Sequence, residues 1–261
     1  MTGAAGDGKV IDLNADLGEG FGPYRIGDDA ALLDIVTSAN VACGFHGGDP
    51  VIMVATAAAA KGRGVAIGAH PGFEDRRGFG RRPIRLSEAE IEAEVAYQIG
   101  ALQACAALAG HVVTYVKAHG ALANLSNRED GVAGAIARAV RAVDRALPVT
   151  VMPGLAAERA AERAGLRTIR EIYADRAYDE DGQLADRSLP GAVIHDPPAV
   201  AARVVRMAAA GVIETLSGRA IPVSIDTVCV HGDAPGAVAT ARAVRAALED
   251  AGYRLAPFAT A

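Results

Sequence analysis

Short apolar or β-branched runs alternate with longer alanine-rich segments along this 261-residue chain. Runs at 10–17, 37–45, 65–69, 112–116, 149–152, 168–173 and 227–230 predict strands. The segments between them have helical spacing. The clearest helix begins after Ser87, with Glu90 completing a capping box. It turns Ile91, Val95, Ile99 and Leu102 to one face and stops at Gly110. Further helices are expected over 155–164, ending at Gly165, and over 235–251, ending at Gly252. Strands buried on both faces and alternating with helices imply a parallel sheet.

Polar motifs end these apolar runs. They read Asp12-Leu13-Asn14-Ala15-Asp16, Asn40-Val41-Ala42-Cys43-Gly44-Phe45-His46, Gly68-Ala69-His70-Pro71-Gly72, Lys117-Ala118-His119-Gly120, Ala174-Asp175-Arg176 and His231-Gly232-Asp233. In a parallel α/β protein the strand C-termini open on one face, so distant residues converge there. An open doubly wound sheet would concentrate such motifs near one switch point. Their recurrence along the whole chain favours a closed barrel. No linker or low-complexity tract divides the sequence, so 1–261 is expected to form one domain, with a flexible glycine-rich start over 1–9. The stretches 73–85 and 175–198 are expected to be long, functional loops.

Composition narrows the function classes. A net charge of −5 gives no footprint for nucleic acid. Three cysteines without a C-x-x-C spacing fit a reducing cytoplasm. The start lacks the apolar stretch of a signal peptide, and the apolar run at 51–60 is too short to span a bilayer. A cytoplasmic protein with no membrane partner is expected.

The segments 12–19, 38–50, 68–82, 116–124, 171–178 and 229–233 together resemble the successive signatures of the LamB/YcsF family. The match is collinear and runs from 10 to 258. The resemblance implies a seven-stranded, TIM-like (β/α) barrel of the glycoside hydrolase/deacetylase type. It also implies the role of the A subunit in an ATP-dependent 5-oxoprolinase. In that role ATP is a co-substrate, and partner subunits B and C help open 5-oxoproline to glutamate. One departure is visible. Where the family has Lys-Pro-His-Gly-Ala-Leu-Tyr, this chain keeps Lys117 and His119 but has Ala118 and Ala123.

The chemistry of a lactam fits these residues. Phosphorylating a resonance-stabilised amide at oxygen makes that oxygen a leaving group, and water can then attack the ring carbon. Such a site needs a base, an acid, and cations or donors for the anions. Asp16, His46, His70, Lys117, His119, His231 and Asp233 are the candidate catalytic residues. Asn14, Glu19, Asn40, Asp175 and Arg176 are candidate substrate contacts. Asn14 and Asp16 share one side of an extended strand. Asp16, His46 and His70 also form a candidate Asp/His/His set for a divalent metal, the feature of a metal-dependent amide or polysaccharide deacetylase. A non-enzymatic scaffold ranks behind both, because acid–base residues at the strand ends are many. No Gly-x-x-x-x-Gly-Lys-Ser/Thr occurs, which excludes a P-loop. Arg76, Arg77, Arg81, Arg82 and Arg85 form either a solvated loop or a contact for phosphate or an acidic partner.

Overall fold

The structure, a computed structural model, describes residues 9–260. The expected flexible start lies outside the described residues except for Lys9. Strand β1 (Val10–Leu17) interleaves two kinds of side chain. Ile11, Leu13, Ala15 and Leu17 are buried in the apolar core. Asp12, Asn14 and Asp16 are equally buried but bond to side chains on other strands. A period of two separates these sets, one toward the helices and one toward the barrel interior.

The remaining strands are β2 (Ser38–Ala42), β3 (Ala66–His70), β4 (Val113–Lys117), β5 (Val149–Val151), β6 (Thr168–Tyr173), β7 (Val212–Glu214), β8 (Ala220–Pro222), β9 (Thr227–Val230) and β10 (Arg254–Leu255). Strands β1 to β6 pair in chain order, all parallel, and β9 pairs with both β6 and β1. Seven strands therefore close into a barrel, as expected. The register Asp12↔Thr227 and Asn14↔Cys229 makes the closure. Strand β10 extends the foot of β1, pairing at Val10 and Ile11. Strands β7 and β8 form an antiparallel hairpin outside the barrel.

The helices are α1 (Asp29–Leu33), α2 (Pro50–Lys61), α3 (Glu88–Leu108), α4 (Gly120–Ser126), α5 (Asp130–Val143), α6 (Ala156–Arg163), α7 (Pro197–Ala210) and α8 (Ala237–Asp250). Both halves of the Ser87/Glu90 capping box form at the start of α3, and Gly110 adopts a left-handed conformation just beyond its end. Alanine-rich helices lie close to the strands, and one apolar cluster joins both layers. No helix among the described residues is long and apolar enough to cross a membrane. The segments 73–85 and 175–196 are irregular and reach the C-terminal mouth, the expected second loop ending two residues early because Pro197 and Pro198 open α7.

Candidate active site

The barrel interior is a stack of polar layers. At the floor, Asp12 accepts hydrogen bonds from the hydroxyls of Thr37, Ser38 and Thr227. Burial pushes its carboxyl up to about 6, against the pull of those three donors. Above it, Asn14 donates to Glu171 at 2.9 Å and to Thr227 at 2.7 Å, and Asn40 donates to Asn14 and Asp16. The Tyr115 hydroxyl closes this layer by donating to Asn40 at 2.7 Å. Lys117 crosses the interior to reach Asp16 at 3.1 Å and Glu171 at 3.0 Å, and its ammonium donates to the Cys229 sulfur at 3.0 Å. Burial opposes its charge, but Asp16, Cys229 and Glu171 hold the ammonium well above its usual range. Burial likewise opposes the charge on Asp16, which Lys117 and His70 hold well below the carboxylate range.

At the strand ends three imidazoles meet one carboxylate. Nδ1 of His70 lies 2.8 Å from the Lys117 carbonyl, and Nε2 of His119 lies 2.8 Å from the Phe79 carbonyl. A carbonyl only accepts, so those two nitrogens carry the protons. The other nitrogens, His70 Nε2 and His119 Nδ1, face each other at 3.0 Å. Glu19 Oε1 lies 3.6 Å from His119 Nδ1 and 3.2 Å from His46 Nε2. His46 stacks on His119 with centroids 3.6 Å apart, and its buried Nδ1 has no partner among the described residues. Burial and the neighbouring imidazoles keep His46 and His119 well below the usual histidine range, hence neutral. Burial, then the carboxylates of Asp16 and Asp233, raise Glu19 well above its ordinary value.

Ring nitrogens that face each other beside a buried carboxyl, with His46 Nδ1 unpartnered among the described residues, suit a bound cation. Glu19, His46, His70 and His119 offer ligand atoms that all lie within 4.8 Å of one another. His70 and His119 each donate from the other ring nitrogen to a backbone carbonyl, as metal-bound imidazoles do. The set fits a divalent ion that accepts imidazole and carboxylate together, the zinc class. Phe79 helps set this geometry from a left-handed backbone conformation, φ 56°, which is uncommon for a side chain of that size. Gly80 makes room beside it, since a Cβ there would stand 2.7 Å from His46 Cβ and 2.8 Å from His119 Cδ2.

The outer mouth is built by the two long loops. Asp175 accepts from His231 Nδ1 at 2.9 and 3.0 Å, leaving Nε2 as the nitrogen for proton exchange. Tyr173 stacks against that ring. A polar cavity of about 50 Å³ touches Asp16, His70, Lys117, His119, Arg176 and His231. Arg81 and Arg187 also line it.

Most of the expected residues therefore converge, though several play parts that their motifs do not reveal. Asn14 and Asn40 lie fully buried below the cavity and spend their amides on Asp16 and its neighbours. Lys117, expected as an anion contact, is already flanked by two carboxylates. Arg176 donates to the carbonyls of Ala185 at 2.6 Å and Ala192 at 3.3 Å, tying its own loop together. Asp233 binds Arg81 at 2.7 Å on the rim. In the candidate metal group Glu19 takes the place expected for Asp16, which stands alongside at 3.4 Å from His70, and His119 joins. Glu171, Tyr173 and Arg187 were not among the expected residues, and Arg81 was expected only within the arginine cluster. Glu171 and Tyr173 stand two apart on β6, the same alternation that marks Asn14 and Asp16. In the arginine cluster, Arg82 pairs with Asp75 and Arg76 lies over the Phe21 ring.

A closed parallel barrel with buried histidines, carboxylates and a lysine at its C-terminal mouth has the active-site architecture of the TIM-like barrels. A solved T48 deacetylase with substrate overlays with a TM-score of 0.51 at 17% identity, covering 95% of this chain and 87% of that one, a likeness of fold alone. Within this class the chain belongs to the LamB/YcsF family, whose model matches residues 11–261. It is 58% identical over 250 residues to the 5-oxoprolinase A subunit of Rhodopseudomonas palustris, covering 95% of this chain and 98% of that protein. The crystal structure of the lactam utilization protein from Thermus thermophilus overlays with a TM-score of 0.90 at 48% identity, covering 95% of this chain and 100% of that one.

Proposed function

We propose that this chain is the A subunit of an ATP-dependent 5-oxoprolinase. With partner subunits B and C in the cytoplasm it opens 5-oxo-L-proline to L-glutamate as ATP becomes ADP and phosphate. The observation that carries this reading is the near-full-length similarity to proteins bearing that name. The chemistry of the mouth supports it. Asp175 orients His231, so His231 Nε2 is placed to take a proton from water or give one to the departing ring nitrogen. Lys117 stays charged inside the barrel, and Arg81, Arg176 and Arg187 lend positive potential to the cavity where a carboxylate or phosphoryl group would sit.

Glu19, His46, His70 and His119 would hold a divalent ion in this proposal. Such an ion, when bound, polarises an amide or phosphoryl oxygen. The Lys117 carbonyl orients His70 through Nδ1, Asp16 stands beside the group, and the Phe79 carbonyl fixes the tautomer of His119. The donor set is also what favours the second reading, a metal-dependent amide hydrolase that works without ATP.

Glutamate release from 5-oxoproline tests both readings, with this chain alone and with subunits B and C, each with and without ATP. Turnover is expected only with the partners and ATP together, and a chelator should abolish it until the ion is restored. ATP-independent turnover by the single chain would support the second reading instead.

A further inference from the structure

Lys117, Arg81, Arg176 and Arg187 line the polar cavity, and the first three are committed to partners within the chain. Lys117 pairs with Asp16 and Glu171. Arg81 pairs with Asp233 on the rim. Arg176 donates to the carbonyls of Ala185 and Ala192. Arg187 differs. It borders the same cavity, yet it makes no hydrogen bond or ion pair among the described residues.

The acids near Arg187 do not answer its charge. Asp233, Asp175 and Asp16 all act on it from a distance, but each already holds another group: Arg81, His231 and Lys117 in turn. Its cationic neighbours work the other way. Burial and then Arg187 bring Arg176 down to about 10. Burial and then Arg81 lower Arg187 itself. Guanidiniums that repel one another, with each nearby acid engaged elsewhere, favour an anion from outside. Arg187 is exposed on the 175–196 loop, so such an anion can reach it from solvent.

We propose that Arg187 binds the carboxylate of 5-oxoproline and so selects an acidic lactam over a neutral one. The assignment rests on the 5-oxoprolinase reading and deepens it. The polar cavity has room for roughly four waters, enough for the amide edge of the ring but not for the whole molecule. In 5-oxoproline the carboxylate is borne by the ring carbon on the other side of the nitrogen from the carbonyl. With the amide edge turned to His231 and the histidine cluster, the carboxylate stays at the mouth, where Arg187 is exposed. A planar guanidinium meets a carboxylate there with two parallel N–H donors. A phosphoryl group on the amide oxygen would lie deeper, toward Lys117.

Arg187→Met and Arg187→Lys test it in the complex with subunits B and C. The readouts are KM for 5-oxoproline, KM for ATP, and inhibition by the carboxamide of 5-oxoproline, which keeps the ring and loses the charge. Arg187→Met should melt at the wild-type temperature, since it breaks no contact within the chain. It should raise KM for 5-oxoproline about ten- to a hundredfold, with little change in kcat or in KM for ATP. Its inhibition constant for the carboxamide should stay within about twofold of wild type. Arg187→Lys should recover part of the loss in KM. A KM for 5-oxoproline within about twofold of wild type in Arg187→Met overturns the assignment. So does an equal loss of affinity for the carboxamide, which would make the effect structural. A rise in KM for ATP, or a fall in kcat alone, would put the guanidinium on the phosphoryl group and overturn it too. A wild-type complex that makes no glutamate from 5-oxoproline overturns the functional reading, and the carboxylate contact with it.

Discussion

At the scale of single residues, charge inside the barrel is matched rather than spare. Lys117 sits between Asp16 and Glu171, so removing it leaves two carboxylates facing each other without a cation. Breaking a buried pair from one side costs about 3–5 kcal/mol. Lys117→Met should therefore lose about that much in urea unfolding, beyond any effect on catalysis. Asp12 offers a pH test. Its carboxyl ordinarily titrates near 3.8 and here at about 6. Between those values the folded protein holds a proton that the unfolded chain has released. This contribution to stability is therefore full at low pH and falls as pH rises through the window, by up to about 1.4 kcal/mol per unit. Asp12→Asn should flatten the stability profile between about pH 4 and 6, and an unchanged slope would count against the assignment. Alternation along β1 made the shared side of Asn14 and Asp16 legible. Glu171 was not, because a lone carboxylate in an apolar strand does not reveal which cation it meets across the barrel.

At the scale of elements, all seven barrel strands and the three helices with clear caps were legible, because apolar runs, Ser87 with Glu90, and the terminal glycines are local signals. The β7–β8 hairpin was not, since its short, largely exposed strands carry no burial pattern. The 73–85 stretch was legible as a long loop but not in what it packs against. Through Phe79 and Gly80 it fixes a histidine tautomer and makes room for two stacked rings, which depends on backbone conformation rather than residue type. Gly80→Ala would place a Cβ against His46 and His119 in a left-handed conformation, φ 63°. It should cost about 1–3 kcal/mol and lower turnover by displacing the imidazoles. Equal turnover and stability in that variant would show that the loop adapts freely.

At the scale of the whole molecule, the recurrence of motifs along the chain pointed to a barrel, but not to the strand pair that closes it. Closure joins β9 to β1 from opposite ends of the chain, and only the fold brings Asp12 to Thr227. Pairing of β9 with β6 carries His231 beside Asp175, and the neighbouring strands β1 to β4 gather Glu19 with three histidines. A site assembled by so many elements requires the intact barrel, and the proposed reaction runs through its histidine cluster. The measurement that bears on it most directly is 5-oxoproline-dependent glutamate release by the reconstituted complex carrying His70→Ala, and separately Asp16→Asn, with circular dichroism on each chain. A fold retained in His70→Ala with turnover reduced on the order of a hundred- to ten-thousand-fold is the predicted result. Asp16→Asn should follow it. Near-wild-type turnover in both variants would contradict the account and move the chemistry away from the histidine cluster.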